Sequence, residues 1–520
     1  MHNGIDFDKP VMEKLLGLDL SDIKITDTLV LSRLYNPSLD GGHSLKSWGI
    51  RLGLHKGDHN DWTKLTPAMV TYCEQDLRVT SKLYDTLQDK LEPFGEESIL
   101  LEHQVQRIIS QQIENGWLLD QKAAWELLGT LKERKLELEE EVHRRFTPLP
   151  VRVREVTPKY KKDGSISVVG LKFLADSFSD VDGVFSRVAF PEFNLGSRQQ
   201  IGTYLQHYGW IPKTFTETGQ PIVNEDVLSE VGIPEATLIA EYLMIQKRIA
   251  QVDSWVENVE EDGRVHGYVN AIGAVTGRMT HSSPNMAQVP ASYSPYGHEC
   301  RSCWTVPKGY KLVGIDASGL ELRMLAHYMD DKEYTNEVIN GDIHTANMQA
   351  AGIDTRDNAK TFIYAFLYGA GDAKIGSIVG GTSGDGRKLK QKFLDNTPAL
   401  KELRERVERA CARGHLRGLD NRKIIIRSQH AAVNSLLQSA GAIIMKKALA
   451  ILDEYATLYR IDYKMIGNIH DEFQVEVHED YADSFGRLAV ECIKAAGIKF
   501  NLRCPLDGEY KVGETWAETH

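Results

Sequence analysis

Arg356-Asp-Asn-Ala-Lys360-Thr-Phe-Ile-Tyr364-Ala-Phe-Leu-Tyr368-Gly-Ala370 reads as a helix. Thr355 stands before it as an N-cap, and Gly369 and Gly371 punctuate its end. Arg356, Lys360, Tyr364 and Tyr368 recur every four residues, so they form one slowly drifting stripe. Two cations followed by two aromatics suit a ligand with a polyphosphate at one end and a flat base at the other. Taken alone, the stripe fits a solvated face with ordinary ion pairs equally well. Carboxylates elsewhere in the chain decide between the two.

Upstream, Lys311-Leu-Val-Gly-Ile-Asp316-Ala-Ser-Gly319-Leu-Glu321-Leu-Arg323 begins as a buried strand that delivers Asp316 at its end. A polar turn and a helix through Met329 follow. Downstream, Tyr463-Lys-Met-Ile-Gly-Asn-Ile469-His470-Asp471-Glu472-Phe-Gln-Val-Glu-Val477 reads as two strands joined at His-Asp-Glu. Acidic residues at the turn of an apolar hairpin are costly unless they face water or a cation. Carboxylates on adjacent strands are placed to hold two divalent ions, one activating a 3'-hydroxyl and the other binding a triphosphate. Each carboxylate by itself is more simply a solvated turn residue; three such stretches on one chain weigh against that.

A chain of 520 residues exceeds one ordinary core, so several domains are expected. The composition, 42% hydrophobic and 26% charged, is globular. No run of about 18 or more apolar residues is present, and Asp and Lys interrupt residues 1–20 where a signal peptide needs an apolar core. A cytoplasmic protein with no membrane association is therefore expected. The net charge of -12 argues against a uniformly basic surface but leaves room for a local positive stripe. The six cysteines read as reduced thiols. Cys300-Arg-Ser-Cys303 has the spacing of half a zinc site, with no second pair at finger-like distance.

In chain order, Met1-His-Asn3-Gly-Ile-Asp-Phe7-Asp8 leads into a helical pattern at 11–18. Residues 25–32 read as a buried strand, and 66–91 as a long amphipathic helix whose Tyr72 and Asp76 share a face. With Asp8 these two would form part of a metal site; the plainer alternative makes Asp8 a cap and Asp76 a solvated side chain. Residues 102–146 are strongly helical, with a leucine seam among charges at 127–142. Pro148, Pro150 and Pro158, a basic Lys159-Tyr-Lys-Lys162 and an apolar run at 168–178 mark 147–192 as an extended insertion. Helices resume from 197 to about 256, and 262–270 reads as a hairpin strand. The polar stretch 273–290 reads as a functional loop whose Arg278, Asn285 and Gln288 offer donors to a nucleic-acid backbone or minor groove.

Together these stretches resemble the family A DNA polymerases, most closely the phage replicative branch. Ile315-Asp316-Ala-Ser-Gly-Leu-Glu321-Leu-Arg is similar to motif A, the 356–369 stripe to motif B, and His470-Asp471-Glu472 to motif C. Thr276-Gly277-Arg278, Asp342-Ile-His344-Thr345 and Asn434-x3-Gln438-Ser-Ala-Gly are further signatures. The resemblance, over about 95–520, implies an α+β multidomain right-hand polymerase with palm, fingers and thumb. It implies that Asp316 and Asp471 bind two Mg2+ (or Mn2+) ions with the Ala317 carbonyl, and that Glu472 assists near the primer end. Arg356, Lys360 and His344 would hold the triphosphate, and Tyr364 would pack on the incoming sugar and base. Glu321, with Tyr364, would exclude a 2'-hydroxyl, and Tyr368 would guard the templating side. Arg278, Gln288, Asn434, Gln438 and His470 would track the primer-template minor groove. Glu321 and the exonuclease-like start argue against a single-subunit RNA polymerase, which shares the hand.

Asn3, Phe7-Asp8, Tyr72 and Asp76 resemble the second and third motifs of proofreading 3'–5' exonucleases, implying a partial α/β, RNase H-like exonuclease domain. The first motif, Asp-x-Glu on a strand, is expected upstream of Met1. Without it the exonuclease is expected to be inactive or completed by a separate subunit. The expected domains are 1–95 exonuclease-like, 96–257 thumb, 258–330 and 434–520 palm, and 331–433 fingers. The 147–192 insertion fits either a reduced docking loop for host thioredoxin, as a processivity factor, or direct DNA contact. Other expected partners are primer-template DNA, dNTPs, a replicative helicase-primase and a single-strand-binding protein, in the cytoplasm of an infected bacterial host.

Overall fold

Leu312, Val313 and Ile315 are fully buried in the computed structural model, as the apolar run around them requires. The structure describes residues 1–20, 23–157, 159–165, 167, 184–224, 227–228 and 231–520. The apolar run at 168–178 lies outside the described residues. The chain divides into two units, Met1–Gln121 with Glu257–His520, and Lys122–Val256.

The larger unit is built on a four-stranded antiparallel sheet. Its strands are Tyr310–Ala317 (β1), Tyr463–Ile469 (β2), Glu472–His478 (β3) and Gly508–Gly513 (β4), in the order β2-β3-β1-β4. Ile469 pairs with Glu472, leaving a two-residue turn of His470 and Asp471, with His470 at φ 60. Strand β3 is buried on both faces, so its period of two carries two chemistries. Phe473, Val475 and Val477 enter the hydrophobic core. Glu472, Gln474 and Glu476 face the other way, and burial obliges them to find partners. Glu476 takes Arg264 at 2.7 Å, and Gln474 takes the Thr519 hydroxyl at 2.9 Å. Gly314 on β1 is required here, because a Cβ would collide with the Thr519 carbonyl.

The helices that matter for the site are Glu96–Asn115 (α1), Leu320–Met329 (α2), Ile343–Ala351 (α3), Arg356–Leu367 (α4), Ala432–Leu458 (α5) and Ala482–Lys499 (α6). Helix α5 lies within Gln429–Leu458, which is long and apolar enough to cross a membrane; 72% of its most apolar window is buried in the fold.

Two sequence expectations are corrected. Residues 25–32 do not form a strand: Thr28–Tyr35 is a helix, and no strand lies within 1–95 among the described residues. Asp27 decides this locally. Its side chain accepts from Leu29 N at the helix start and also from the backbone N–H of Asn3 and Ile5. Residues 102–146 are not one helical run either. Gly116, at φ 61, ends α1, and Trp117–Leu119 is a strand between Arg264–Val265 and Trp304–Thr305. The helix Pro67–Leu91 forms as expected.

In the smaller unit, the helices Gln121–Arg145 and Pro234–Glu257 are tied by Arg134, which forks onto both oxygens of Glu241, and by Tyr242 donating to Glu139 at 3.0 Å. Strands Val151–Val156 and Phe185–Ala189 form an antiparallel ribbon. Phe146, Phe193 and Tyr204 make an aromatic cluster.

Candidate active site

The register of β1 and β3 sets Asp316 opposite Glu472. The turn between β2 and β3 adds Asp471, whose carbonyl accepts from Ala317 N at 3.1 Å. Burial of its carboxyl, then the negative charges of Asp471 and Glu472, push Asp316 up to about 7. Burial also raises Asp471. Glu472 behaves oppositely. Burial opposes its charge, but His520 Nδ1 at 2.7 Å, Gln474 and Trp516 Nε1 at 2.9 Å hold its carboxyl below the ordinary value. Both of its oxygens are engaged, so the acid nearest in sequence to Asp471 is a saturated, positioned group.

Thr355 caps α4 by accepting from Asn358 N, as its place predicts. The helix ends at Leu367 rather than 370; Tyr368 is its C-cap and Gly369 turns away at φ 76. A Cβ at Gly369 would stand 2.8 Å from the His430 carbonyl. Along the stripe, Arg356 Nε bonds Asp342 at 2.7 Å, and Lys360 is exposed with no bond to the described residues. The Tyr364 ring lies 6.3 Å from His344 and stacks 6.4 Å from Tyr368. His344 Nδ1 is buried and lacks a hydrogen-bond partner among the described residues. Burial, then Arg356 and Lys360, lower the His344 pKa, so its ring is neutral. The Tyr368 hydroxyl donates to Glu321 at 2.8 Å, and Arg278 donates to the other Glu321 oxygen at 3.3 Å. Among the stripe residues, the hydrogen-bond partner of Glu321 is thus Tyr368.

Asn434 and Gln438 lie half-buried in the first turns of α5, four residues apart. Arg278 and His470 line one small cavity with Lys446 and Asn468. Gln288 closes the short turn Met286–Gln288, and Asn285 is its cap, its Oδ1 accepting from Ala287 N. At the N-terminal end, Asn3 bonds Asp27 through its backbone, and Asp8 ends the helical turn Gly4–Asp8. Asp76 is paired with Lys56 at 2.8 Å, and the same ammonium sits 5.0 Å from the Tyr72 ring. No bond links Asp8 to Asp76 among the described residues. The six cysteines are free, and no group of three or more metal-binding side chains is found among the described residues.

Residues 173–518 match the family model for DNA polymerase family A. The DNA-directed DNA polymerases of Enterobacteria phage T3 and Escherichia phage T7 are each 36% identical to this chain, over all of it and 92% of their own lengths. The chain belongs to DNA polymerase family A. As a DNA-directed DNA polymerase it carries out template-directed DNA synthesis. The phage alignments run over 646 residues against the 520 here, so those relatives carry stretches that this polymerase lacks. The POL domain of Pol1 from M. smegmatis, solved with DNA primer-template and dNTP, has the same fold. Its TM-score is 0.77 at 20% identity, covering 95% of this chain and 82% of that one.

Several residues that shape the polymerase site carried no signal in the sequence. Trp516 and His520 reach Glu472 from more than forty positions away; outside that site, Lys56 reaches Asp76 from twenty. Asp342 belongs to the Asp342-Ile-His344-Thr345 signature, but its residue type alone does not tell what it bonds.

Proposed function

We propose that Asp316 and Asp471, with the Ala317 carbonyl, hold two divalent cations, Mg2+ or Mn2+. The carrying observation is the crowding at the end of β1. Burial and two neighbouring carboxylates push Asp316 up to about 7, a strain that bound cations would relieve. The donor set fits hard cations, because it is carboxylate and carbonyl oxygen. Such ions would lower the pKa of a primer 3'-hydroxyl and neutralise charge on the triphosphate. Glu472, saturated by its three donors, stiffens the turn that carries Asp471.

Arg356 and Lys360 grip the triphosphate electrostatically, and neutral His344 donates a hydrogen bond to it. Tyr364 packs against the sugar and base of the incoming dNTP. Glu321, held between Arg278 and Tyr368, blocks a 2'-hydroxyl at the floor of the pocket, and Tyr368 borders the templating side. Arg278, Gln288, Asn434, Gln438 and His470 follow the primer-template minor groove. The palm is 258–330 with 434–520, the fingers 331–433 and the thumb 96–257. Asp471→Asn is expected to cut single-turnover primer extension at least about a hundredfold while leaving primer-template affinity intact. Extension at the wild-type rate would refute the metal assignment.

The Asp76–Lys56 ion pair, which occupies Asp76 with an ammonium, supports an exonuclease-like region at 1–95 that is inactive by itself. Magnesium-dependent degradation of a 3' single strand by the purified chain would overturn this. Host thioredoxin on the 147–192 insertion, a replicative helicase-primase and a single-strand-binding protein are the proposed partners, in the cytoplasm of an infected bacterial cell. Longer extension products on adding thioredoxin would support the first.

A further inference from the structure

Asp342 lies between the two helices that carry the proposed phosphate-binding side chains. Its Oδ1 accepts from the backbone N–H of His344 at 3.1 Å and of Thr345 at 3.4 Å, capping α3. Its Oδ2 accepts from the Thr345 hydroxyl at 2.8 Å and from Arg356 Nε at 2.7 Å, at the first residue of α4. One carboxylate therefore fixes the start of the helix that presents His344 and the guanidinium that begins α4. The Arg356 and Thr345 bonds hold its carboxyl well below the usual carboxylate range, so it is ionised at any working pH.

The choice of nitrogen matters. The bond to Asp342 uses Nε, and among the described residues nothing bonds Nη1 or Nη2. Those two nitrogens make a fork that fits phosphate oxygens. The Arg356 side chain is 51% exposed, so without Asp342 its long chain would sample many rotamers. Fixing it before the ligand arrives removes that ordering from the binding step. The opposing effect is repulsion between the carboxylate and an incoming triphosphate, which solvent and salt screen at so open a site.

We propose that Asp342 is a positioning residue that presets Arg356 and His344 as a clamp for the triphosphate of the incoming nucleotide. It rests on the reading that those two side chains grip the phosphates. Asp342→Asn separates the two tasks of the residue, because Asn caps a helix as well as Asp but forms no ion pair. The expected result is a KM for dNTP raised roughly fivefold, with kcat within about twofold of wild type. The thermal unfolding midpoint stays unchanged.

Because Asp342 acts through Arg356, the D342N/R356A double variant is expected to bind dNTP no worse than R356A alone. Effects that multiply in the double variant would overturn the proposal. A lower KM in D342N would overturn it too, since the carboxylate would then be a competitor of the triphosphate. R356A is the control for the underlying reading: if it leaves KM unchanged, the phosphate grip is wrong and the clamp falls with it. If R356A raises KM and D342N does not, the grip stands and only the role of Asp342 fails.

Discussion

Three donors converge on Glu472, and two of them, Trp516 and His520, stand more than forty residues further along the chain. Trp516 spends its only polar atom there while its ring packs 4.6 Å from Trp117 and under the Arg301 guanidinium. Trp516→Phe deletes the N–H and leaves part of the buried indole volume empty. A hydrogen bond to a buried carboxylate contributes about 1.5–3 kcal/mol, and denaturant unfolding should register a loss of at least that size. Tyr364 is the other residue whose single polar atom matters. If its hydroxyl stands in for a missing 3'-OH contact, the enzyme accepts dideoxynucleotides readily. Tyr364→Phe should then reduce dideoxynucleotide incorporation about tenfold, the worth of one such bond. Strong discrimination by the wild-type enzyme in a chain-termination assay would defeat this. The identity of Tyr364 was plain in the sequence, whereas the bonds of Trp516 and His520 to Glu472 were not, because hydrogen bonds between residues forty apart leave no periodic trace.

Helix α1, the hairpin at 415–425 and α5 meet at a cluster of four buried charges. Lys446 Nζ reaches both Glu102 oxygens at 2.8 Å, and Arg422 bonds both Glu102 and Asp420. All four side chains are nearly inaccessible and their charges sum to zero. Such a cluster adds little net stability over apolar packing, but losing one member strands an uncompensated charge. Lys446→Met should therefore destabilise the protein by about 3–5 kcal/mol, read from the urea midpoint. The N-cap of α4 is a smaller element-scale term: Thr355→Ala should cost about 1 kcal/mol. Helix α4 was legible from its cap and its glycine. The helix Thr28–Tyr35 was not, because a short apolar run fits strand and helix alike. Asp27 settled the matter through bonds to Asn3 and Ile5, over twenty residues away.

Across the whole molecule, burial keeps His281 and His327 neutral, each lowered to about 4. The unfolded chain takes up these protons near 6.5, which the fold refuses until about 4. Protons therefore favour the unfolded state between those values, and stability falls on acidification through that window. Asp316, pushed up to about 7, takes up its proton at higher pH in the fold than in the unfolded chain and opposes this. His2, also lowered to about 4, joins the two histidines, and together they outweigh it. The urea midpoint should therefore drop from pH 7 to pH 5, and His327→Asn should flatten the slope; a midpoint that rises on acidification would contradict the assignment. The sequence by itself determined what is local: the strand that ends in Asp316, the junction of two strands at His470-Asp471-Glu472, and the cation–aromatic stripe from Arg356 to Tyr368. Each follows from side-chain periodicity and from turn or cap chemistry within a dozen residues, and the resemblance they carry was enough to point to the family. Only the tertiary structure decided what pairs across distance. It set Asp316 against Glu472 through strand register, gave Glu321 to Tyr368 and Arg278, bound Asp342 to Arg356, and paired Asp76 with Lys56. Buried polar groups must find partners wherever the fold brings them, and that search is settled in three dimensions rather than along the chain.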